Sequence, residues 1–235
     1  MSERCIQAWI FVRGDSMGLP GKNLLPLCGK PMIAYSIECA RKCRFIKEVF
    51  VSTDSPTVAA TAEQYGAVVP FLRPAELADV MMPVCHSWRH AIRWNRAQTE
   101  FPKMDIMVSL PVSTPLRTPE QVTEAVELYL RGGYDSVIAV SKSNRNPAYD
   151  MIYRDEAGRA SLIIPNDDPL ARKRTKQAYD ITNLVHVSSC DYIMEELNYL
   201  RGNVGTIEVP RENSLDIRDI WDFRLAELFL KGEKA

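Results

Sequence analysis

Arg13 and Lys22 bracket a loop, Gly14-Asp15-Ser16-Met17-Gly18-Leu19-Pro20-Gly21, and Asn23 follows it. Glycine lacks a Cβ, so the three here let the backbone approach a ligand and let N–H groups face anionic oxygens. Two cations at the rims of such a loop suit the phosphates of a nucleoside triphosphate. The spacing is not a Walker A motif, because no Gly-Lys-Ser/Thr stands at the required distance, and it is not GxGxxG. By spacing alone the glycines serve equally well as turn residues. The bracketing charges and the position of the loop favour the phosphate reading.

That position is set by the flanking elements. Cys5 to Val12 is a mostly apolar run of strand length, and the stretch from Lys30 to Cys43 has helical spacing, with Pro31 suited to its first turn. Open α/β sheets bind ligands at the carboxyl ends of their strands, where this loop falls. Further strands are expected at Glu48–Thr53, Ala67–Phe71, Asp105–Leu110 and Ser136–Ser141, alternating with helices after Asp54, at Val84–Gln98 and after Thr118. Thr118, Pro119 and Gln121 read as N-cap, N1 and N3 of the last of these. Such alternation predicts an α/β fold with a three-layer, open, mostly parallel sheet. The rhythm breaks at about residues 142–180, where Pro147–Arg154 and Arg159–Ile164 read as an antiparallel hairpin. Asn183–Ser188 is again a strand, Cys190–Leu200 a helix, Thr206–Val209 an edge strand and Ile217–Lys231 an amphipathic helix.

The 235 residues suit a single domain, residues 1–235, and a net charge of −1 provides no field that would gather nucleic acid. No apolar run reaches the ~20 residues of a membrane span, and the start of the chain enters the first strand without a signal-peptide core. The six cysteines form no CxxC pair and have no neighbouring histidine, which predicts a reduced, cytosolic protein without structural zinc. His86 and His90 lie one helical turn apart with no third ligand, so the three histidines read as structural. Arg73 and Arg117, taken singly, read as readily as surface ion pairs. Asp216 stands near the start of the last helix, where it serves either as its N-cap or as a metal ligand.

Five stretches in order resemble the acylneuraminate cytidylyltransferases, the CMP-sialic acid synthetases. They are Arg13 to Asn23 with Gly29-Lys30-Pro31-Met32-Ile33, Val51-Ser52-Thr53-Asp54-Ser55, Arg73-Pro74 with Glu76-Leu77-Ala78-Asp79, Leu110 to Arg117, and Ser214-Leu215-Asp216-Ile217 with Asp222-Phe223 and Ala226-Glu227. The resemblance implies a Rossmann-like, GT-A-like nucleotidyltransferase that moves CMP from CTP to an acidic α-keto sugar and releases pyrophosphate. It places Arg13 and Lys22 in the catalytic role, at the phosphates and the leaving pyrophosphate. It places Gly14, Asp15, Ser16, Gly18, Asn23 and Arg73 on the nucleotide. Ser113, Thr114, Arg117, Arg174 and Tyr179 fall on the sugar side, and Asp216 on Mg²⁺. The 142–180 excursion becomes a dimerisation lobe of a homodimer.

Three departures from the pattern stand out. Met17 replaces a lysine, Arg218 replaces the second metal aspartate, and Leu184-Val185-His186-Val187 replaces Gly-Ala-Ile-Tyr. Arg218 is thereby a candidate cation in the metal's place. The basic run Arg172 to Lys176 either meets the sugar carboxylate or is a solvated face. Alternatives within this reading are an eight-carbon 3-deoxy-ulosonate as acceptor, and a nucleotide-binding homologue without turnover.

Overall fold

Continuous apolar strands must be covered on both faces, and six of them here form one sheet with helices on either side. The computed structural model describes residues 4–16, 18–168 and 170–232. Met17, the expected missing cation, lies outside the described residues. The elements in chain order are β1 Ile6–Phe11, β2 Pro26–Leu27, β3 Lys30–Pro31, α1 Met32–Lys42, β4 Glu48–Ser52, α2 Pro56–Gln64, α3 Val84–Ala97, β5 Ile106–Ser109 and α4 Pro119–Leu130. They continue with β6 Ser136–Lys142, β7 Ile152–Arg154, β8 Ala160–Leu162, α5 Ala171–Arg174, β9 Tyr179–Ser189, α6 Cys190–Glu195, β10 Val204–Glu208 and α7 Ile220–Leu230. The sheet order is β10-β6-β9-β5-β1-β4, with β9 antiparallel to both its neighbours and the other pairs parallel.

The alternation of β1 shows how the layers arise. Ala8 and Ile10 point into one core with Ile33 and Ile37 of α1, Val122 and Val126 of α4 and Phe223 of α7. Trp9 points to the opposite face and packs with Phe50, Met107, Trp88 and Ile92 under α3, joined by Cys190 and Ile193 of α6. There Trp9 stacks on Phe50 at 4.8 Å between ring centroids and meets the edge of Trp94 at 6.0 Å.

Caps set several helix starts. Ser55 accepts from the Val58 N–H, and Thr118 and Gln121 form the expected capping box. Four expectations are corrected. Pro31 closes the small β2–β3 hairpin and precedes α1, because Lys30 pairs across to Leu27. Ala67–Phe71 contributes only a bridge from Val68 to Phe50, with another from Leu72 to Thr53. The helix from Cys190 stops at Glu195, since the Glu196 carboxylate accepts from the Leu197 and Asn198 N–H groups and turns the chain. The cap of α7 is Asp219, paired with Asp222, and helix α7 begins at Ile220. The 142–180 excursion carries the β7–β8 hairpin and α5, beside the sheet. Among the described residues no helix is long and apolar enough to cross a membrane.

Candidate active site

The loop after β1 is held from beneath by buried polar groups. Arg73, in the polar segment after β4, donates from Nη2 to the Val12 carbonyl at 2.9 Å and stands 3.6 Å from the Asp54 carboxylate. Burial lowers the Arg73 pKa and Asp54 opposes that shift. Asp54 also accepts from the Gly14 N–H at 3.0 Å, and Asn23 donates from Nδ2 to the Arg13 carbonyl at 2.8 Å. Arg73 and Asn23 are both buried; Arg73 still lines a cavity of about 240 Å³ with Arg13, Asp79 and Val80, whereas Asn23 is turned to the loop backbone. The N–H groups of Gly14 and Ser16 are turned to the carboxylates of Asp54 and Asp15. Close approach explains two glycines: a Cβ on Gly14 would strike the Ser55 side chain, and one on Gly18 would strike the Arg218 carbonyl. Arg13, Asp15 and Ser16 line an open cleft with Asp54 and Val80.

The loop also abuts the segment before α7. Lys22 crosses to it, donating from Nζ to the Ile217 carbonyl at 2.7 Å. Partial burial lowers the Lys22 pKa, and Asp216 works against that shift. The Ile217 N–H donates to the Ser113 carbonyl at 2.8 Å, so half-buried Ser113 acts through its backbone. Asp219 takes the cap position, which leaves Asp216 to the cleft. Its Oδ2 accepts from Asn183 Nδ2 and from Arg218 Nε, each at 3.1 Å. Tyr179, Asp180, Asn183, Arg211, Asp216 and Arg218 line a cavity of about 560 Å³.

No group of three His, Cys, Asp or Glu suited to a metal occurs among the described residues. Mg²⁺ asks for less, since it is commonly held by one or two carboxylates with substrate phosphates and water. Asp216, on the lining of the open cavity of about 560 Å³, fits a Mg²⁺ held chiefly by phosphate and water oxygens. Arg218 on the same carboxylate brings a positive charge to that place.

Thr114 and Arg117, expected along the sugar, are buried. The cause is a bulge in β9. Pairing with β6 jumps from Ile138–His186 to Ala139–Thr182, which pushes residues 183–185 out of the ladder. The displaced Asn183 carbonyl accepts from Thr114 Oγ1 at 2.8 Å and from Arg117 Nη2 at 3.5 Å. Arg117 also donates to Ser36 Oγ at 2.8 Å, to the Pro111 carbonyl and to Thr114 Oγ1. Burial lowers its pKa to about 10, so it remains a cation at neutral pH, and among the described residues its hydrogen-bond partners are neutral oxygens. These two residues brace the bulge that aims Asn183 at Asp216. Arg174 is exposed on α5, paired with Asp168 at 3.5 Å, and Tyr179 is exposed at the mouth of the Asp216 cavity.

The sequence reading missed Asn183 as a partner of Asp216, and it missed a second cavity. This cavity, of about 230 Å³, lies at the carboxyl ends of β1 and β5, under α3. Phe11, Trp88, Ser109, Ile181, His186 and Tyr199 line it. His186, directly opposite Ser109 across β9 and β5, stacks on Trp88 with ring centroids 4.6 Å apart. It is only 7 % exposed, and burial pushes its pKa down to about 3, so the ring is neutral at physiological pH. The one sequence signal was a histidine inside the otherwise apolar Leu184–Val187 run.

The sheet, its helical layers and a glycine loop between the first strand and the next helix define a nucleotidyltransferase-like α/β protein. The cytidylyltransferase family model matches residues 8–138, and the chain belongs to the cytidylyltransferase family. It is therefore an enzyme of the nucleotidyltransferase class. It is 30 % identical to the CMP-N,N'-diacetyllegionaminic acid synthase of Legionella pneumophila, over 83 % of this chain and 82 % of that protein. It is 27 % identical to post-translational flagellin modification protein B of Campylobacter coli, over 98 % of this chain and 96 % of that one. In fold it resembles CMP:2-keto-3-deoxy-manno-octonic acid synthetase complexed with CTP, with a TM-score of 0.71 and 16 % identity over 98 % of this chain and 100 % of that chain.

Proposed function

We propose that the protein transfers CMP from CTP to an acidic α-keto sugar of the nonulosonate type, releasing pyrophosphate. The observation that carries this reading is the contact of the glycine loop with the segment before α7. The glycine loop brings Arg13 to the edge of a cleft, and Lys22 at its far end reaches the segment that carries Asp216. In the reaction the anomeric hydroxyl attacks the α-phosphorus, the new P–O bond forms, the bond to the β-phosphate breaks and the hydroxyl proton passes to solvent. Lys22 exchanges the Ile217 carbonyl for phosphate oxygens. Arg13 and Lys22 neutralise the charge that grows on the leaving pyrophosphate. Asn23 and Arg73 keep the loop in shape, and Arg117 and Thr114 keep Asn183 on Asp216. A bound Mg²⁺, with Asp216 as its protein ligand, would supply further charge neutralisation at the phosphates.

The lobe supports a homodimer as a further part of the proposal. Ile152 and Tyr153 of the hairpin are 54 % and 64 % exposed, apolar surface of the kind that pairs with a second copy. Light scattering reads this: a dimer for the intact chain and a monomer for Tyr153→Lys are expected, and a monomer for both would overturn it. A nucleotide-binding homologue without turnover is the second reading, favoured by the Arg218 guanidinium on Asp216. The two separate on pyrophosphate release from CTP across a panel of nonulosonic and eight-carbon 3-deoxy-ulosonic acids, with and without Mg²⁺. Release with a nonulosonate supports transfer. CTP binding with no release by any acid supports the second reading.

A further inference from the structure

Arg218 stands where the glycine loop meets the start of α7, and its backbone is held there from two sides. Its N–H donates to Asp222 Oδ2 at 2.9 Å, and its carbonyl lies where a Cβ on Gly18 would strike it. The side chain is held far less. It is 80 % exposed, and its Nε donates to Asp216 Oδ2 at 3.1 Å. Nη1 and Nη2 have no hydrogen-bond partner among the described residues. The planar guanidinium fork thus keeps its outer N–H groups for a ligand, and such a fork matches phosphate oxygens. An ion pair this exposed adds little to stability, so the fork can leave Asp216 at small cost.

The surrounding charge points to a polyanion. Burial lowers the Lys22 pKa, Asp216 raises it, and the nearby charges of Arg13 and Arg218 lower it further. Three cations therefore act on one another at the end of the glycine loop. Of the three carboxylates in the facing segment, two are turned to backbone. Asp219 Oδ1 accepts from the N–H groups of Trp221 and Asp222, and Asp222 Oδ2 from those of Arg218 and Asp219. Asp216 alone of the three lines the cavity, and its Oδ2 already accepts from Asn183 and Arg218. Its Oδ1 has no hydrogen-bond partner among the described residues.

We propose that Arg218 is a third triphosphate-binding cation, which rests on Asp216 in the free protein and turns its guanidinium to the phosphates when CTP enters. The side chain thereby supplies charge that a second divalent ion would otherwise bring, and the nucleotide complex holds a single divalent ion. This proposal rests on CTP as the ligand of the cleft, and not on transfer to any sugar.

Titration calorimetry with α,β-methylene CTP, in which a methylene replaces the α–β bridging oxygen and blocks transfer, reads the phosphate contact in the presence of Mg²⁺. Arg218→Gln should weaken binding by about 10-fold, the equivalent of ~1.4 kcal/mol. Arg224→Gln removes the same charge from α7 outside the cavity and should change the affinity less than about 2-fold. Unchanged affinity in Arg218→Gln, or equal losses in the two variants, would overturn the proposal. The ion count is read by electron paramagnetic resonance of Mn²⁺, with the wild-type protein in excess over the analogue. One Mn²⁺ per bound analogue is expected, and any other count would overturn the single-ion site. If the wild type does not bind the analogue, the CTP reading fails and the proposal with it. Analogue binding without pyrophosphate release from CTP by any acid would sink the transfer reading alone and leave the Arg218 contact standing.

Discussion

The loop from Arg13 to Asn23 and the segment from Leu110 to Arg117 look alike on paper, each with small residues and a conspicuous cation at the carboxyl end of a strand. In the fold they part. The first leaves Arg13 at a cleft edge and Lys22 partly buried with its ammonium on the Ile217 carbonyl, while the second buries Arg117 among neutral oxygens of Ser36, Pro111, Thr114 and Asn183. An open cation acts on a ligand's charge. A buried one acts on the chain, holding a bulge that would otherwise leave carbonyls unpaired. The difference predicts opposite signatures, lost turnover with intact stability for one segment and lost stability for the other.

The largest effect is expected from Lys22→Ala. Removal of a preorganised cation that meets the developing charge costs on the order of 10²–10³ in kcat/KM. Stability should fall by no more than about 1 kcal/mol, the typical worth of its bond to Ile217. Steady-state pyrophosphate release and urea unfolding read the two quantities, and a folding defect with intact specific activity would erase the contrast. Arg117→Met should do the reverse first, destabilising by about 2–4 kcal/mol through orphaned buried oxygens, as urea denaturation would register. Its surviving activity should drop through a misaimed Asn183. Unchanged stability would mean that the brace is not needed. Asp216→Asn should raise the Mg²⁺ concentration for half-maximal activity by about 10-fold, with the melting temperature moving little because Asp219 is the cap of α7. A large melting shift with an unchanged Mg²⁺ dependence would return Asp216 to a structural role.

A further effect is a pH slope. The His186 pKa is lowered from 6.5 to about 3 by burial, so between those values the unfolded chain binds a proton that the folded chain refuses. Its contribution is fully present above about pH 6.5 and is lost as pH falls toward 3, at up to ~1.4 kcal/mol per pH unit. The difference in stability between wild type and His186→Phe, followed from pH 7 to 4, should therefore shrink or reverse as the wild type weakens. A constant difference would place His186 in contact with solvent.

Much of this was legible in residue order. The apolar run before Arg13, the capping box at Thr118 and the break in βα rhythm after Lys142 each follow from local chemistry, and each is found in the structure. Side-chain depth was not legible. Thr114 and Arg117 were read as sugar-facing because nothing in their neighbourhood announces the β9 bulge, which arises from pairing with a strand distant in sequence. For the same reason Asn23 reads as a ligand contact, whereas its side chain is turned under the loop to the Arg13 carbonyl, while Arg73 both holds the Val12 carbonyl and lines a cavity with Arg13. Asp216 was ambiguous between cap and cleft until Asp219 was seen to hold the cap. His186 looked structural because a single histidine in an apolar strand gives no sign of the indole it stacks on.

The most direct test of CMP transfer at this cleft is ³¹P NMR of CTP, Mg²⁺ and an acylamino nonulosonate incubated with the enzyme. A phosphodiester resonance of the CMP-sugar, rising in equal amount with pyrophosphate and absent with Lys22→Ala, is the predicted result. An unchanged CTP spectrum with every acid tested, or product formed from UTP or GTP and not from CTP, would contradict it.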